Sequence, residues 1–306
     1  MLQLPPELLS DILTYVLDTH PRPSDVLCVH SCVYGPGSHV LYSRLRFTSV
    51  RQLSRFSRDH APLPCAPQVI AVQLPGAGEN LDVFRHLRGV LQRCMQRVET
   101  SEQPASLPLE LLSLRLNSHT HDPHIEEIHH ALVLANPRTF VWLGPDPGHH
   151  FSTAIVPPAT PHLFRAMSTW TRAAHITLTN IAFPTSTSLP RAPLDPSAPL
   201  LPAPPALRTL HIGQATFLPP AAVAALVCAA APRLQRVRLV DAYVESIWGP
   251  RLRRGDVEAA LAGLGRAADA DSDAAARERV RRVVRCEVQN ERIMGGDRAE
   301  GLRVLE

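Results

Sequence analysis

Leu207-Arg208-Thr209-Leu210-His211-Ile212 is answered, 27 residues later at its central apolar position, by Leu234-Gln235-Arg236-Val237-Arg238-Leu239. Both have the form apolar-x-x-apolar-x-apolar. The last three positions alternate as a strand with one buried face requires, and a proline (Pro205, Pro232) stands just upstream of each. The same pattern recurs at Val69/Val72/Leu74 and Leu111/Leu114/Leu116. Weaker copies occur at Ala173/Ile176/Leu178, at Val141/Leu143 without the first apolar residue, and at Val283/Cys286/Val288. Between the copies, apolar residues at helical spacing predict helices over 81–98, 125–134, 162–171, 219–230 and 257–268. Strands alternating with helices predict an α/β fold built on a parallel sheet.

The middle residues Val72, Leu114, Val141, Ile176, Leu210, Val237 and Cys286 stand 42, 27, 35, 34, 27 and 49 residues apart. Leucine-rich repeats combine L-x-x-L-x-L with a period of roughly 20–29 residues, so the strands resemble that family more closely than the spacing does. The asparagine expected three residues after the last strand leucine is absent, and His119 takes its place in the clearest copy. The resemblance implies an irregular α/β solenoid that exposes a row of strands. Its target-binding positions are the outward x residues, Gln73, Arg115, Trp142, Thr177, His211 and Arg238. An ordinary layered α/β sheet is the competing architecture.

The chain's 306 residues suffice for about two domains. Its 31 cationic side chains are all arginine, because lysine does not occur. The chain therefore has no ε-amine for acetylation, ubiquitin attachment or Schiff-base chemistry. With 28 acidic residues the formal net charge is only +3, which gives no reason to expect a nucleic-acid partner. No apolar run approaches the ~20 residues of a membrane span, and no signal peptide is evident, so the expectation is a cytoplasmic or nuclear protein without a membrane partner. Six scattered cysteines lack C-x-x-C pairing, which argues against a disulfide framework or zinc knuckle. Prolines at 184, 190, 193, 196, 199, 202, 204 and 205 predict an extended loop over 184–205. Arg277, Arg279, Arg281, Arg282 and Arg285 read as a solvated face, since no stacking aromatic is interleaved.

At the N-terminus, Pro5 to Asp18 reads as a helix opened by Pro5-Pro6. Stepping ~100° per residue puts Leu8, Leu9, Ile12, Leu13, Val16, Leu17 and Tyr15 on an arc of roughly 200°. A single supporting surface needs an apolar stripe of only ~100°, so this helix has apolar surface for a second partner. A polar loop over 19–24, a short apolar segment (Val26, Leu27, Val29, Cys32, Val33), a break at Gly35-Pro36-Gly37 and a third apolar stretch from Val40 to Phe47 follow.

Leu4-Pro5-Pro6-Glu7-Leu8-Leu9-Ser10-Asp11-Ile12-Leu13, with Val26-Leu27-Cys28-Val29 and Val40-Leu41-Tyr42-Ser43-Arg44-Leu45, resembles the F-box of fungal F-box proteins. The resemblance covers about the first fifty residues. It implies three short helices that bind the Skp adaptor of a cullin ubiquitin ligase. The matching adaptor-facing positions are Leu4, Pro5, Leu8, Ile12, Leu13, Val26, Leu27, Val29 and Leu41. It also implies a non-enzymatic, cofactor-free receptor that presents a protein target. The expected division is an F-box-like unit at 1–50, a repeat-like domain at 51–290 and a tail at 291–306.

One stretch points elsewhere. His119-Thr120-His121-Asp122-Pro123-His124 follows a strand and precedes a helix, with Glu126, Glu127, His129 and His130 close behind. Its H-x-H opening resembles the metallo-β-lactamase superfamily, implying His119, His121 and His124 as metal ligands and a metal-dependent hydrolase as the alternative function. Pro123 stands where that motif carries its acid, and proline cannot ligate a metal. A repeat scaffold unrelated to ubiquitin is the third reading.

Overall fold

The computed structural model describes residues 4–74, 81–96, 106–146, 151–185, 200–264, 270–290 and 304–306. Most of the proline-rich stretch (186–199) and most of the expected tail (291–303) lie outside the described residues. In chain order the elements are α1 (Pro6–Thr19), α2 (Pro23–Leu27), α3 (Ser31–Ser43), β1 (Arg44–Phe47), α4 (Val50–Arg58), β2 (Val69–Gln73), α5 (Val83–Met95), β3 (Leu107–Arg115), α6 (Glu127–Leu132), β4 (Ala135–Leu143), α7 (Ala159–Met167), β5 (His175–Thr179), β6 (Thr209–Gly213), α8 (Pro220–Ala229), β7 (Arg236–Val240), α9 (Arg254–Ala260), α10 (Ala270–Val283), β8 (Val284–Glu287) and β9 (Val304–Leu305).

The nine strands form one sheet in which spatial order equals chain order. β1 to β8 are parallel, and β9 runs antiparallel against β8. One face is apolar: Ile70 and Val72, Leu112 and Leu114, Phe140 and Trp142, Ile176 and Leu178, Leu210 and Ile212, Val237 and Leu239, then Val284 and Cys286. These side chains share one continuous core with the buried residues of α5 to α9 (Leu87, Leu91, Leu132, Leu163, Val223, Leu226, Val257). The opposite row, Ala71, Ser113, Val141, Thr177, His211 and Arg238, remains half-buried.

The pattern-derived register holds except at β4. There Val141 and Leu143 point away from the core, whereas Phe140 and Trp142 are fully buried. Trp142 is therefore not an outward-facing target contact. Its indole Nε1 donates to the Leu116 carbonyl at 3.1 Å, and its ring lies 5.3 Å from that of Phe84. A shift of one residue exchanges the faces of a strand, and the larger aromatic volumes take the interior.

A tight turn does follow the strands, at a different place from the expected asparagine. Asn180, Gln214 and Asp241, each two residues beyond the last inward-facing apolar residue, adopt the left-handed conformation (φ 59°, 47° and 49°). Their amides donate to the carbonyls of Gly213, Val240 and Glu287 on the next strand, at 2.9, 2.8 and 3.0 Å. The short polar side chains of Asn180 and Asp241 tolerate this conformation best among non-glycine residues, whereas Gln214 adopts it without that advantage. Asp241 is buried with Arg251 at 3.3 Å, and its other carboxylate oxygen accepts the Asn290 amide at 2.9 Å.

The helical N-terminal segment has its own small core: Leu13, Leu17 and Val26, with Leu9, Val16, Leu27, Val33, Val40 and Leu41 packed around them. The expected break at Gly35-Pro36-Gly37 does not occur, since α3 runs through it. Pro36 lies inside α3, where its missing N–H forfeits the bond to the Cys32 carbonyl four residues back, and the helix continues past it to Ser43. Gly37 has a packing role: a Cβ there would sit 2.6 Å from Leu27 Cδ2, so glycine lets α3 lie close against α2. β1, within the residues expected to belong to the helical unit, is the first strand of the sheet, and Val304–Leu305 adds the ninth from within the expected tail. Two helices went unread in the sequence: α4, which buries Leu53, and α10, which buries Val280 and Val283.

Candidate docking surfaces

α1 divides its apolar arc between two directions. Leu13 and Leu17 are sealed at 4% and 6% exposure, whereas Leu8 and Ile12 remain 52% and 48% exposed and Tyr15 73%. Leu4 and Pro5 are also exposed ahead of the helix, and Val29 and Tyr34 carry exposed apolar surface beyond it. Of the nine adaptor-facing positions expected from sequence, Leu4, Pro5, Leu8, Ile12 and Val29 are open to solvent. Leu13 and Val26 are buried inside the helical unit, so their contribution is to hold it together, and Leu27 and Leu41 are half-buried in the same core. The reason is helical geometry: Leu13 and Leu17 fall on one stripe at i and i+4, and Leu8, Ile12 and Tyr15 on the next. Tyr15 and Tyr34 were absent from the expected set, although Tyr15 lay on the apolar arc.

Among the expected target-binding residues, Thr177, His211 and Arg238 occupy one register row across β5, β6 and β7. Gln73 and Arg115 are paired in the neighbouring row across β2 and β3. These five are half-buried or exposed, and Trp142 is removed from the group. The two rows are knitted by polar contacts. Arg46 Nη2 donates to Gln73 Oε1 at 2.8 Å, Arg115 Nη2 donates to the Pro145 carbonyl at 3.1 Å, and Arg238 binds Glu287 Oε2 through Nη2 at 2.7 Å. Arg238 Nη1 approaches His211 Nδ1 at 3.4 Å. Burial first, and then the Arg238 charge, hold His211 below the ordinary imidazole range, which favours its neutral form.

The histidine stretch forms the turn between β3 and α6. His119 is half-buried, His121 and His124 are exposed, and Asp122 Oδ1 accepts the His124 amide at 2.8 Å. Among the described residues no three His, Cys, Asp or Glu side chains are gathered for a metal ion, so His119, His121 and His124 do not converge. Also among the described residues, no helix is long and apolar enough to cross a membrane.

Compared with known proteins, the chain matches no family model and no curated protein. What can be said of its class rests on its own residues: a mixed α/β protein with a nine-stranded, mostly parallel sheet behind a small helical unit.

Proposed function

We propose that this chain is the substrate-recognition subunit of a Skp/cullin/F-box ubiquitin ligase. In this reading the helical unit docks on the Skp adaptor, and the sheet, an irregular leucine-rich-repeat-like solenoid, holds a protein target. The observation that carries the reading is the exposed stripe of Leu8, Ile12 and Tyr15 on a helix whose other stripe already closes the unit's own core. Large apolar side chains open to water on one contiguous helix face are the usual mark of a protein interface. The L-P-x-E opening that precedes them adds the family resemblance. Strands stacked in chain order, with an apolar face under helices and a half-buried face of mixed polarity beyond it, support the repeat-like reading of the second part.

Catalysis then belongs to other subunits, and the chain needs no cofactor of its own. The test is co-expression with the Skp adaptor. Wild-type chain should co-purify with it, and Ile12→Asp should not, because a carboxylate placed in the buried contact adds desolvation cost to the lost apolar area. Ile12 is half-exposed in the free chain, so this variant keeps its fold. Retention of the adaptor by a folded Ile12→Asp chain would refute the reading.

A further inference from the structure

A basic cavity of about 510 Å³ lies where β4, β5 and β6 begin, lined by Arg138, Arg172, Arg208 and Arg233 with His175 and Glu110. Glu110 is the acidic residue among the described residues that line it, so positive charges exceed negative ones by three. The arrangement follows from the register. Ala174 N donates to the Arg138 carbonyl, and Arg208 N and Thr209 N both donate to the Ala174 carbonyl, so Arg138, Ala174 and Arg208 occupy equivalent places on successive strands. Strands sit ~4.8 Å apart, which separates the two arginine backbones by roughly 10 Å with only a methyl group between them. The small side chains of Ala174 and Ala206 leave the space that the guanidiniums surround.

The outer arginines are held in place. Asn136 Oδ1 accepts the amides of Thr171 and Arg172 at 3.0 Å each, which fixes the loop carrying Arg172. Arg233 Nη1 donates to the Pro205 carbonyl at 2.7 Å. Arg172 and Arg138 share Glu110, at 2.9 and 3.6 Å, and those two side chains remain 40% and 59% exposed. A single carboxylate contacting two guanidiniums leaves most of their donors to water or to a ligand, because each guanidinium carries five in a planar fork.

We propose that this cavity binds an acidic peptide segment of a protein target, its negative charge supplied by carboxylate or phosphoryl groups. Charge complementarity and the guanidinium geometry carry the proposal; its placement within target recognition rests on the substrate-receptor reading above. Peptide rather than nucleic acid is favoured because no Phe, Tyr or Trp among the described residues lines the cavity to stack a base, and its one imidazole, His175, is tied through Nδ1 to the Thr209 hydroxyl at 2.8 Å.

The experiment uses the purified full chain without the adaptor, so that it can fail while adaptor capture succeeds, or the reverse. Three degenerate short-peptide libraries differ only at their centre, which is a run of glutamates, a phosphoserine or a serine, and binding is read by fluorescence polarisation. The glutamate or the phosphoserine library should bind roughly tenfold or more tightly than the serine library, and the stronger of the two identifies the source of charge. Arg208→Glu and Arg138→Glu should each weaken that binding roughly tenfold, with melting temperatures measured alongside, whereas Arg51→Glu on exposed α4 should leave it unchanged. Equal binding of all three libraries, or insensitivity to both cavity variants, would overturn the proposal. So would a single-stranded oligonucleotide that displaces the acidic libraries and is itself lost in the same variants.

Discussion

Two adjacent residues of α1, Ile12 and Leu13, should behave oppositely when truncated to alanine. Leu13 is 4% exposed and packs with Leu17 and Val26 in the small helical core, whereas Ile12 is 48% exposed and faces outward. Leu→Ala at a buried site costs from ~2.7 to 5 kcal/mol, according to how far the surroundings collapse. A core of three buried side chains, each still slightly exposed, collapses more readily than a large one, so the low end applies. At ~1.36 kcal/mol per tenfold, ~2.7 kcal/mol corresponds to roughly a hundredfold faster exchange of α1 amides wherever exchange proceeds through opening of the helical unit. Ile12→Ala removes a side chain with little to lose in the free chain and should stay within ~0.5 kcal/mol, less than about a threefold change. Hydrogen exchange followed by mass spectrometry on peptides spanning Pro6–Thr19 reads both values in the intact protein. Comparable acceleration by the two variants, or a silent Leu13→Ala, would mean that α1 does not present the faces assigned to it. The division between core and docking stripe would then be withdrawn.

Trp142→Ala should cost ~3–5 kcal/mol in a urea melt, since it empties a fully buried site beside Phe84, whereas a stability change within ~0.5 kcal/mol would return the tryptophan to the outer face. Asp241→Asn keeps a residue that accepts the positive φ but leaves Arg251 buried without its carboxylate, and should destabilise by ~3–5 kcal/mol; a neutral result would show that the pair is not sealed from water. His86, His129, His162 and His211 are each held below the ordinary imidazole range, in every case chiefly by burial. Each therefore takes up a proton more readily in the unfolded chain than in the folded one. Their stabilising contribution is present above the unfolded value of ~6.5 and is lost as pH falls through and below it. The melting temperature should drop on acidification from pH 7.5 to 5.5, and His211→Gln should flatten part of that slope; a melting temperature that rises with acid would contradict the burial of these rings.

The sheet was legible wherever apolar and polar residues alternate strictly. Leu210-His211-Ile212 and Val237-Arg238-Leu239 state their buried face without reference to anything distant, and both are oriented as read. β4 was ambiguous because Phe140-Val141-Trp142-Leu143 is apolar throughout, so alternation contains no information about which pair points inward. That choice is made by Phe84 and Trp170, which offer the aromatic rings a place to pack, and no local window contains them. α3 was misread for a related reason. Gly35-Pro36-Gly37 carries strong local breaking chemistry, yet the clearance Gly37 allows against Leu27 depends on a neighbouring helix. α4 escaped notice because Val50, Leu53 and Phe56 are its only large apolar residues, spaced three apart among arginines and serines. Of the candidate surfaces, the apolar arc of α1 was visible from residue spacing, but its partition between Leu13 and Ile12 was not. The basic cavity escaped the sequence entirely, since Arg138, Arg172, Arg208 and Arg233 are scattered along nearly a hundred residues and meet only through strand stacking.

The short β9 reverses the direction of a sheet that is otherwise parallel, and Leu305 seats beside Cys286 with 2% of its surface exposed. A growing stack of parallel strands always offers its last member's backbone to any passing extended chain, a route to uncontrolled association between molecules. Two residues laid across β8 in the opposite sense satisfy part of that rim and mismatch the rest for another parallel unit. Without Val304 and Leu305, the backbone of β8 would lose its antiparallel neighbour and stand open to pairing with another extended chain.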